Sequence, residues 1–196
     1  AIRRQRQMCI RDRTQTVHQT KKDEAVTLSN DSYTVSTDEE LKNALEQIKT
    51  SSSNEASIIL NADVGAPTEN YIASFGVEGK HIIVSSTEGN MYSLSLSNLG
   101  ILNGSCTFEN VDVRGYKLYC TGYKTIFTNQ GEIHLTGTLY GGGYKTTVAS
   151  TYVVIDANGY INPSSSSGLH DVIGGSYQGS VEGNTYIEIP GNIQMQ

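Results

Sequence analysis

The sequence predicts an all-β fold of stacked coils, a β-solenoid closed at its N-terminal end by one α-helix. Three observations point there. The tetrapeptide Gly-Tyr-Lys-Thr stands at positions 122–125 and again at 143–146, an interval of about one coil, with a third Gly-Tyr-Lys at 115–117. Leu-Tyr-Gly-Gly-Gly-Tyr at 139–144 has an echo, Val-Ile-Gly-Gly-Ser-Tyr, at 172–177. Repeats at intervals of about 20–50 residues mark stacked units, none of which buries its apolar face alone. The composition agrees: only 17% of residues are charged, Gly and Tyr are frequent (20 and 12), and β-formers and turn residues dominate.

The elements follow in order. Ser32-Tyr33-Thr34-Val35 reads as a short strand leading into the one helix, 38 to about 50. Ser36 or Thr37 can cap it, each with a Glu three positions later (Glu39, Glu40), the capping-box spacing. Asp38, Glu39 and Glu40 put negative charge at the positive end of the helix dipole. Leu41, Ala44, Leu45 and Ile48 form one apolar stripe, suited to covering an exposed end of the solenoid. Short β-segments then alternate with turns at 58–60, 81–84, 107–111, 132–135 and 152–155. With Ile59, Ile83, Phe108, Ile133 and Val153 as markers, the steps are similar in length and leave room for two or three strands per coil. The segment 91–96 sets Met91, Ser93 and Ser95 against Tyr92, Leu94 and Leu96, the alternation of a strand with one face inward. Val77-Glu78-Gly79 and Val181-Glu182-Gly183 each precede a strand, an echo of one corner design. The spacing of turn signals also suits a β-sandwich.

Residues 1–20 stand apart from this pattern. Arg3, Arg4, Arg6, Arg11 and Arg13 make the opening of the chain its most basic stretch. Clustered arginines suggest a nucleic-acid-binding arm, and Arg3-Arg4 an export signal, but no apolar segment of the required length follows. The run from Arg3 to Asp12 resembles a codon-by-codon translation of a tagmentation sequencing adapter, with Arg13 completing the leftover bases. The expectation is an artefactual tail over 1–20 and a β-helix domain over 21–196, cap about 38–50 and rungs about 56–190. On that reading the domain is a fragment of a longer protein, and an uncapped C-terminal end predicts poor solubility alone.

Without residues 1–20 the chain holds 9 Lys and Arg against 19 Asp and Glu, a formal charge of −10. That balance argues against nucleic acid and anionic membrane as partners. No apolar stretch approaches the roughly 18 residues that span a bilayer. Cys106 and Cys120 read as two buried thiols acting as small hydrophobes, though a disulfide is also open to them.

The segment Tyr-Thr-Val-Ser-Thr-Asp-Glu-Glu-Leu at 33–41, continuing to Leu45, resembles the opening of right-handed parallel β-helix domains of pectin-lyase-like architecture. These occur in surface or secreted proteins of Gram-positive anaerobes. The segment 168–189, with Gly174-Gly175 and Gly179-Ser180-Val181-Glu182-Gly183, resembles their Gly-rich rungs. The resemblance implies a secreted or cell-wall-attached location. Such scaffolds serve adhesins, enzymes and stalks alike. Lyases of this architecture use acidic calcium ligands with a nearby Arg or Lys as base, and the nearest match is Asp112-Val113-Arg114. No second carboxylate stands close in sequence, so the pair reads as a solvent-exposed ion pair and no catalytic site is carried over.

Other chemistry is thin. Asp156 lies beside a turn, and His170-Asp171 is an isolated pair. His18, His81, His134 and His170 lack metal-ligand spacing and the cysteines form no Cys-x-x-Cys, so neither metal nor cofactor is expected. The glycines at 141–143 lack the phosphate-loop pattern and read as a corner. Tyrosines offer the candidate binding feature: Tyr116, Tyr123 and Tyr144, with Tyr123 and Tyr144 expected one above the other, present flat rings with polar tips. The expected role is a non-catalytic adhesin or stalk module with glycans or host and cell-surface proteins as partners. The alternative is a carbohydrate-active enzyme, a lyase or hydrolase. Three or more carboxylates around a basic residue in one groove favour the enzyme; Tyr, Ser, Thr and Asn there favour the adhesin.

Overall fold

The computed structural model describes residues 31–161 and 172–194. Strand β1 (Asp31–Val35) runs into α1 (Asp38–Thr50). Thr37, not Ser36, is the N-cap: its Oγ1 accepts the Glu40 amide at 3.2 Å, while the Glu40 carboxylate accepts the Ser36 amide at 2.6 Å. This is a capping box whose return bond reaches one residue further back than usual. The stripe Leu41, Ala44, Leu45 and Ile48 is buried as expected.

The chain then makes successive circuits. The first holds β2 (Glu55–Leu60), β3 (Val64–Gly65), the short β4 (Thr68–Glu69) and β5 (Ile72–Phe75). The second holds β6 (His81–Ser86), β7 (Tyr92–Ser95) and β8 (Leu99–Leu102). The third holds β9 (Ser105–Phe108), β10 (Val111–Gly115) and β11 (Lys117–Tyr119); the fourth β12 (Lys124–Phe127), β13 (Glu132–Leu135) and β14 (Leu139–Tyr140). Next come β15 (Thr151–Ile155), β16 (Asn158–Ile161), β17 (Val172–Ile173), β18 (Thr185–Glu188) and β19 (Ile193–Gln194). Successive circuits contribute strands in turn to three sheets, the first giving both β4 and β5 to the third. The first sheet is β1-β2-β6-β9-β12-β15-β18, the second β3-β7-β10-β13-β16-β19, the third β4-β5-β8-β11-β14-β17. Pairing is parallel, apart from the antiparallel β4–β5 turn. The fold is therefore all-β with one helix. That helix packs on β1 and β3, the outermost strands of two sheets, and covers the end of the core.

Inward residues stack in register. In the first sheet Ile58, Val84, Phe108, Phe127 and Ile155 lie opposite one another. Val64, Leu94, Val113 and Ile133 do so in the second sheet, and Leu118, Leu139 and Val172 in the third. Phe108 stacks on Phe127 at 5.0 Å and meets Phe75 across the interior at 6.0 Å. The second-sheet row continues through Gly159, which has φ +131° and whose Cβ, if added, would sit 2.1 Å from the Ile133 carbonyl. Only glycine fits there.

Three sequence expectations change. Ile133 belongs to the second sheet, not to the marker series of the first; the strand passed over is β12, which begins inside the repeated tetrapeptide. Ile59 and Ile83 are partly exposed while Ile58 and Val84 point in, because aliphatic residues occupy both faces of these strands. The segment 107–111 belongs to two strands, with Glu109 and Asn110 forming the corner between sheets.

The repeats are partly structural. The interval between the two Gly-Tyr-Lys-Thr copies is also the register offset between β11 and β14, where Leu118 and Tyr119 oppose Leu139 and Tyr140. It fails at the next corner, where Lys124 opposes Tyr152 rather than Lys145. The longer interval of the Gly-Gly echo holds for Leu139 with Val172, Tyr140 with Ile173 and Tyr144 with Tyr177. Among the described residues no helix is long and apolar enough to cross a membrane.

Phe108→Ala removes the centre of the aromatic row and is expected to cost about 3–5 kcal/mol of stability, measured by denaturant unfolding. Cys106 and Cys120 are both buried free thiols. Burial raises both above the ordinary thiol value of 9.0, Cys120 to about 12. Both thiols should resist alkylation in the native protein and react once it unfolds. Because the folded pKa is raised, their contribution to stability is full below about pH 9 and falls as pH rises toward 12. A flat unfolding free energy across that window would contradict it.

Candidate functional site

The outer face of the second sheet gathers most of the described polar chemistry. Alternation on β10 turns Asp112 and Arg114 outward, and alternation on β13 does the same for Glu132 and His134. Parallel register then sets Asp112 beside Glu132 and Arg114 beside His134. On the next strand Asn158 and Tyr160 lie opposite Glu132 and His134. On the other side Ser93 and Ser95 oppose Asp112 and Arg114.

Asp112 is the hub. Its Oδ2 accepts from Arg114 Nε at 2.5 Å and its Oδ1 from His134 Nδ1 at 2.6 Å. Its side chain is only 5% exposed, whereas that of Arg114 is 59% exposed. The pair is thus an exposed cation anchored on a buried anion, not the fully exposed ion pair expected from the sequence. The bond to Asp112 also raises the pKa of Arg114, keeping it charged. Because a carboxylate only accepts, the His134 proton in this bond sits on Nδ1. Nε2 stands 3.8 Å from Glu132 Oε2, beyond hydrogen-bond range, and in the neutral ring it is the nitrogen without a proton. The Tyr160 ring packs on the imidazole with centroids 4.8 Å apart.

Asp63 adds a further charge at the edge of this face. The Ser93 amide donates to it at 2.7 Å and holds its carboxyl below the usual range, with Arg114 contributing. Two shallow depressions flank His134. One, of about 460 Å³, is lined by Arg114, Gly115, His134, Thr136 and Tyr160; the other, of about 500 Å³, by His134, Asn158, Tyr160 and Asn192 among others.

The three tyrosines read from the sequence do not converge. Tyr116 is 40% exposed at the corner after Gly115, its ring over Gly137 and the Lys117 ammonium 5.1 Å from its centroid. Its chain neighbour Gly115, not Tyr116 itself, lines the first depression. Tyr144 instead stacks on Tyr177 at 5.6 Å and meets Tyr119 edge-on at 5.3 Å. With Tyr140 stacked on Tyr119 at 4.8 Å, these rings cover the outer face of the third sheet. Tyr123 lines a separate depression with Lys80, His81 and Ser105. Tyr123 and Tyr144 are therefore not stacked, because the offset of the tetrapeptide repeat ends before them.

Sequence reading missed Glu132, His134 and Tyr160 as site residues. The legible signal was Asp-x-Arg at 112–114 and Glu-x-His at 132–134, two alternating pairs separated by about one coil. It also missed Tyr152 and Tyr186, half-exposed and stacked at 4.7 Å on the first sheet. His18, His170 and Asp171 lie outside the described residues. Asp156 follows β15, its amide donating to the Phe127 carbonyl at 2.8 Å. The glycines at 141–143 form a tight corner: a Cβ at Gly142 would meet the Ser176 hydroxyl at 2.2 Å.

The neutral His134 ring is expected to carry its proton on Nδ1, visible as the long-range 15N pattern of that tautomer in NMR. Asp112→Asn should shift the population toward the Nε2–H form and cost about 1–3 kcal/mol, since it strips a buried acceptor from two donors. An unchanged tautomer in that variant would show that Asp112 does not orient the ring. No family model, curated protein or solved structure matches this chain, so the chemistry of the face rests on its geometry.

Proposed function

We propose that this chain is a right-handed parallel β-helix of a secreted or wall-attached bacterial protein, and that the outer face of its second sheet binds glycans without cleaving them. The cyclic order of three parallel sheets and the helix over one end support the β-helix. The observation that carries the function is the open surface of Arg114, His134 and Tyr160, held in place by buried Asp112. Aromatic and planar polar groups around shallow depressions suit sugar rings, which offer an apolar face and a rim of hydroxyls. Tyr116, exposed one residue beyond Gly115, is a further ring available to a ligand that extends past the depression.

Hydrolysis fits less well. It needs two carboxyl groups able to flank one glycosidic bond. Of the neighbouring pair, Glu132 is accessible, but Asp112 is buried and has each oxygen engaged. The groove criterion is met only in part: Asp112 and Asp63 act on Arg114 and Glu132 lies beside Asp112, yet Ser, Asn and Tyr share the face. One observation favours a second reading. An imidazole oriented by a carboxylate, with Nε2 unprotonated, is the arrangement of a general base, so proton abstraction in a lyase reaction is the alternative.

A glycan array and a polysaccharide depolymerisation screen on the full chain separate these readings. Binding without product is expected, weakened about tenfold, or roughly 1.4 kcal/mol, by Tyr160→Ala and less by Tyr116→Ala. Tyr144→Ala should leave affinity unchanged while lowering stability. Product release abolished by His134→Ala would replace recognition with cleavage. No binding to any glycan by a folded sample would remove the proposal.

A further inference from the structure

We propose that His134 and Glu132 form a site for a borderline divalent transition-metal ion such as Zn²⁺, independent of glycan recognition. Asp112, Glu132 and His134 each offer a ligand atom, all within 4.8 Å of one another. Glu132 and His134 stand two apart on β13, but Asp112, which orients the imidazole, comes from the adjacent strand β10, so the group is not visible in sequence spacing alone.

The three groups are not equivalent. Asp112 is taken by Arg114 and by His134 Nδ1, and its side chain is buried. Its role is outside the metal sphere: a metal-binding histidine characteristically donates its other ring N–H to a carboxylate, which fixes the ring and raises its basicity. The two direct ligands are then His134 Nε2 and Glu132 Oε2, now 3.8 Å apart. Ligand bonds of about 2.0–2.1 Å in a tetrahedral shell call for about 3.4 Å between ligands. The Glu132 side chain, 45% exposed, can close that difference. Asn158, opposite Glu132 in register, is placed to offer its amide oxygen, and the open depressions beside His134 leave room for water.

The donor set also selects the ion. Imidazole with carboxylate suits Zn²⁺, Co²⁺ or Ni²⁺, whereas Ca²⁺ takes six to eight oxygens, more than this face presents. The Arg114 charge does not prevent binding, because Asp112 pairs with it directly. A cation would meet the Nε2 side of the ring and the Glu132 carboxylate.

The test is isothermal titration of the full chain with Zn²⁺ and with Ca²⁺, no glycan present. A Cys9→Ser, His18→Ala background removes competing ligands from the N-terminal segment. One Zn²⁺ per chain is expected, with Ca²⁺ bound at least a hundredfold more weakly. Glu132→Gln, a change at an exposed position, should weaken Zn²⁺ at least tenfold, and His134→Ala should abolish binding. Asp112→Asn should weaken it about 10–100-fold, as loss of an outer-shell partner does. NMR adds a position-specific readout, a Zn²⁺-induced shift of the His134 Nε2 resonance. Zn²⁺ binding insensitive to both Glu132→Gln and His134→Ala, equal affinity for Ca²⁺, or no heat up to about 1 mM metal, a dissociation free energy of roughly 4.1 kcal/mol, would each overturn the site. None of these outcomes depends on whether the glycan array succeeds.

Discussion

Everything in this structure depends on parallel, in-register stacking of one circuit on the next. No circuit has a core of its own: its inward residues, such as Phe108, Val113 and Leu118, are covered by the equivalent residues above and below. The ladder of backbone hydrogen bonds fixes that equivalence, since a slip of one residue would turn every inward side chain out. On the outer side of the first circuit β1 pairs with β2, and α1 covers the exposed end of the core with Leu41, Ala44, Leu45 and Ile48. Asp38 joins this cover to the sheet by accepting the Gly65 amide at 2.6 Å.

Stacking constrains strands much more than corners. Circuit length varies: the chain returns to the same register position sooner between Leu118 and Leu139 than between Leu139 and Val172. The described residues 141–150 of the longer circuit lie outside the named strands. After β14 they bring Tyr144 against Tyr119, with Tyr177 stacked beside it. Burial beneath these rings raises the pKa of the Tyr119 hydroxyl, while Tyr144 and Tyr177 above it stay partly exposed. The same latitude explains why a repeated tetrapeptide need not mark repeated positions: 122–125 ends in a strand of the first sheet, 143–146 in a corner.

The helix was legible to the residue because its signals are local: a capping pair, an acidic first turn and a four-residue stripe. The strands were legible as segments, since alternation such as that at 91–96 is also local. Their assignment to sheets was not. Ile133 and Phe127 are both buried apolar residues flanked by partly exposed neighbours, and nothing within either segment says which sheet it joins. That information lies in the lengths of the corners between them. Those lengths follow from packing: Gly131 and Gly137, for example, pass so close to Val111 and Tyr116 of the preceding circuit that a Cβ would meet backbone oxygen at 2.8 and 2.5 Å.

The polar face shows the same division between what a segment encodes and what stacking adds. Asp-x-Arg at 112–114 was visible, and its geometry within one strand followed from alternation alone. Its chemistry came from the next strand. Register places Glu132 beside Asp112 and His134 beside Arg114, turning an ion pair into a four-residue polar cluster in which a second carboxylate and an imidazole join the first pair. Had the corner between β11 and β12 been one residue longer with the strand pairing retained, the circuit would have lengthened outside the sheets and left this face intact. Had β13 slipped one residue against β10, Ile133 would have turned outward and His134 inward, placing an imidazole in the core. Core burial of Ile133 therefore fixes the position of His134, and the apolar row on one side of the sheet sets the polar row on the other.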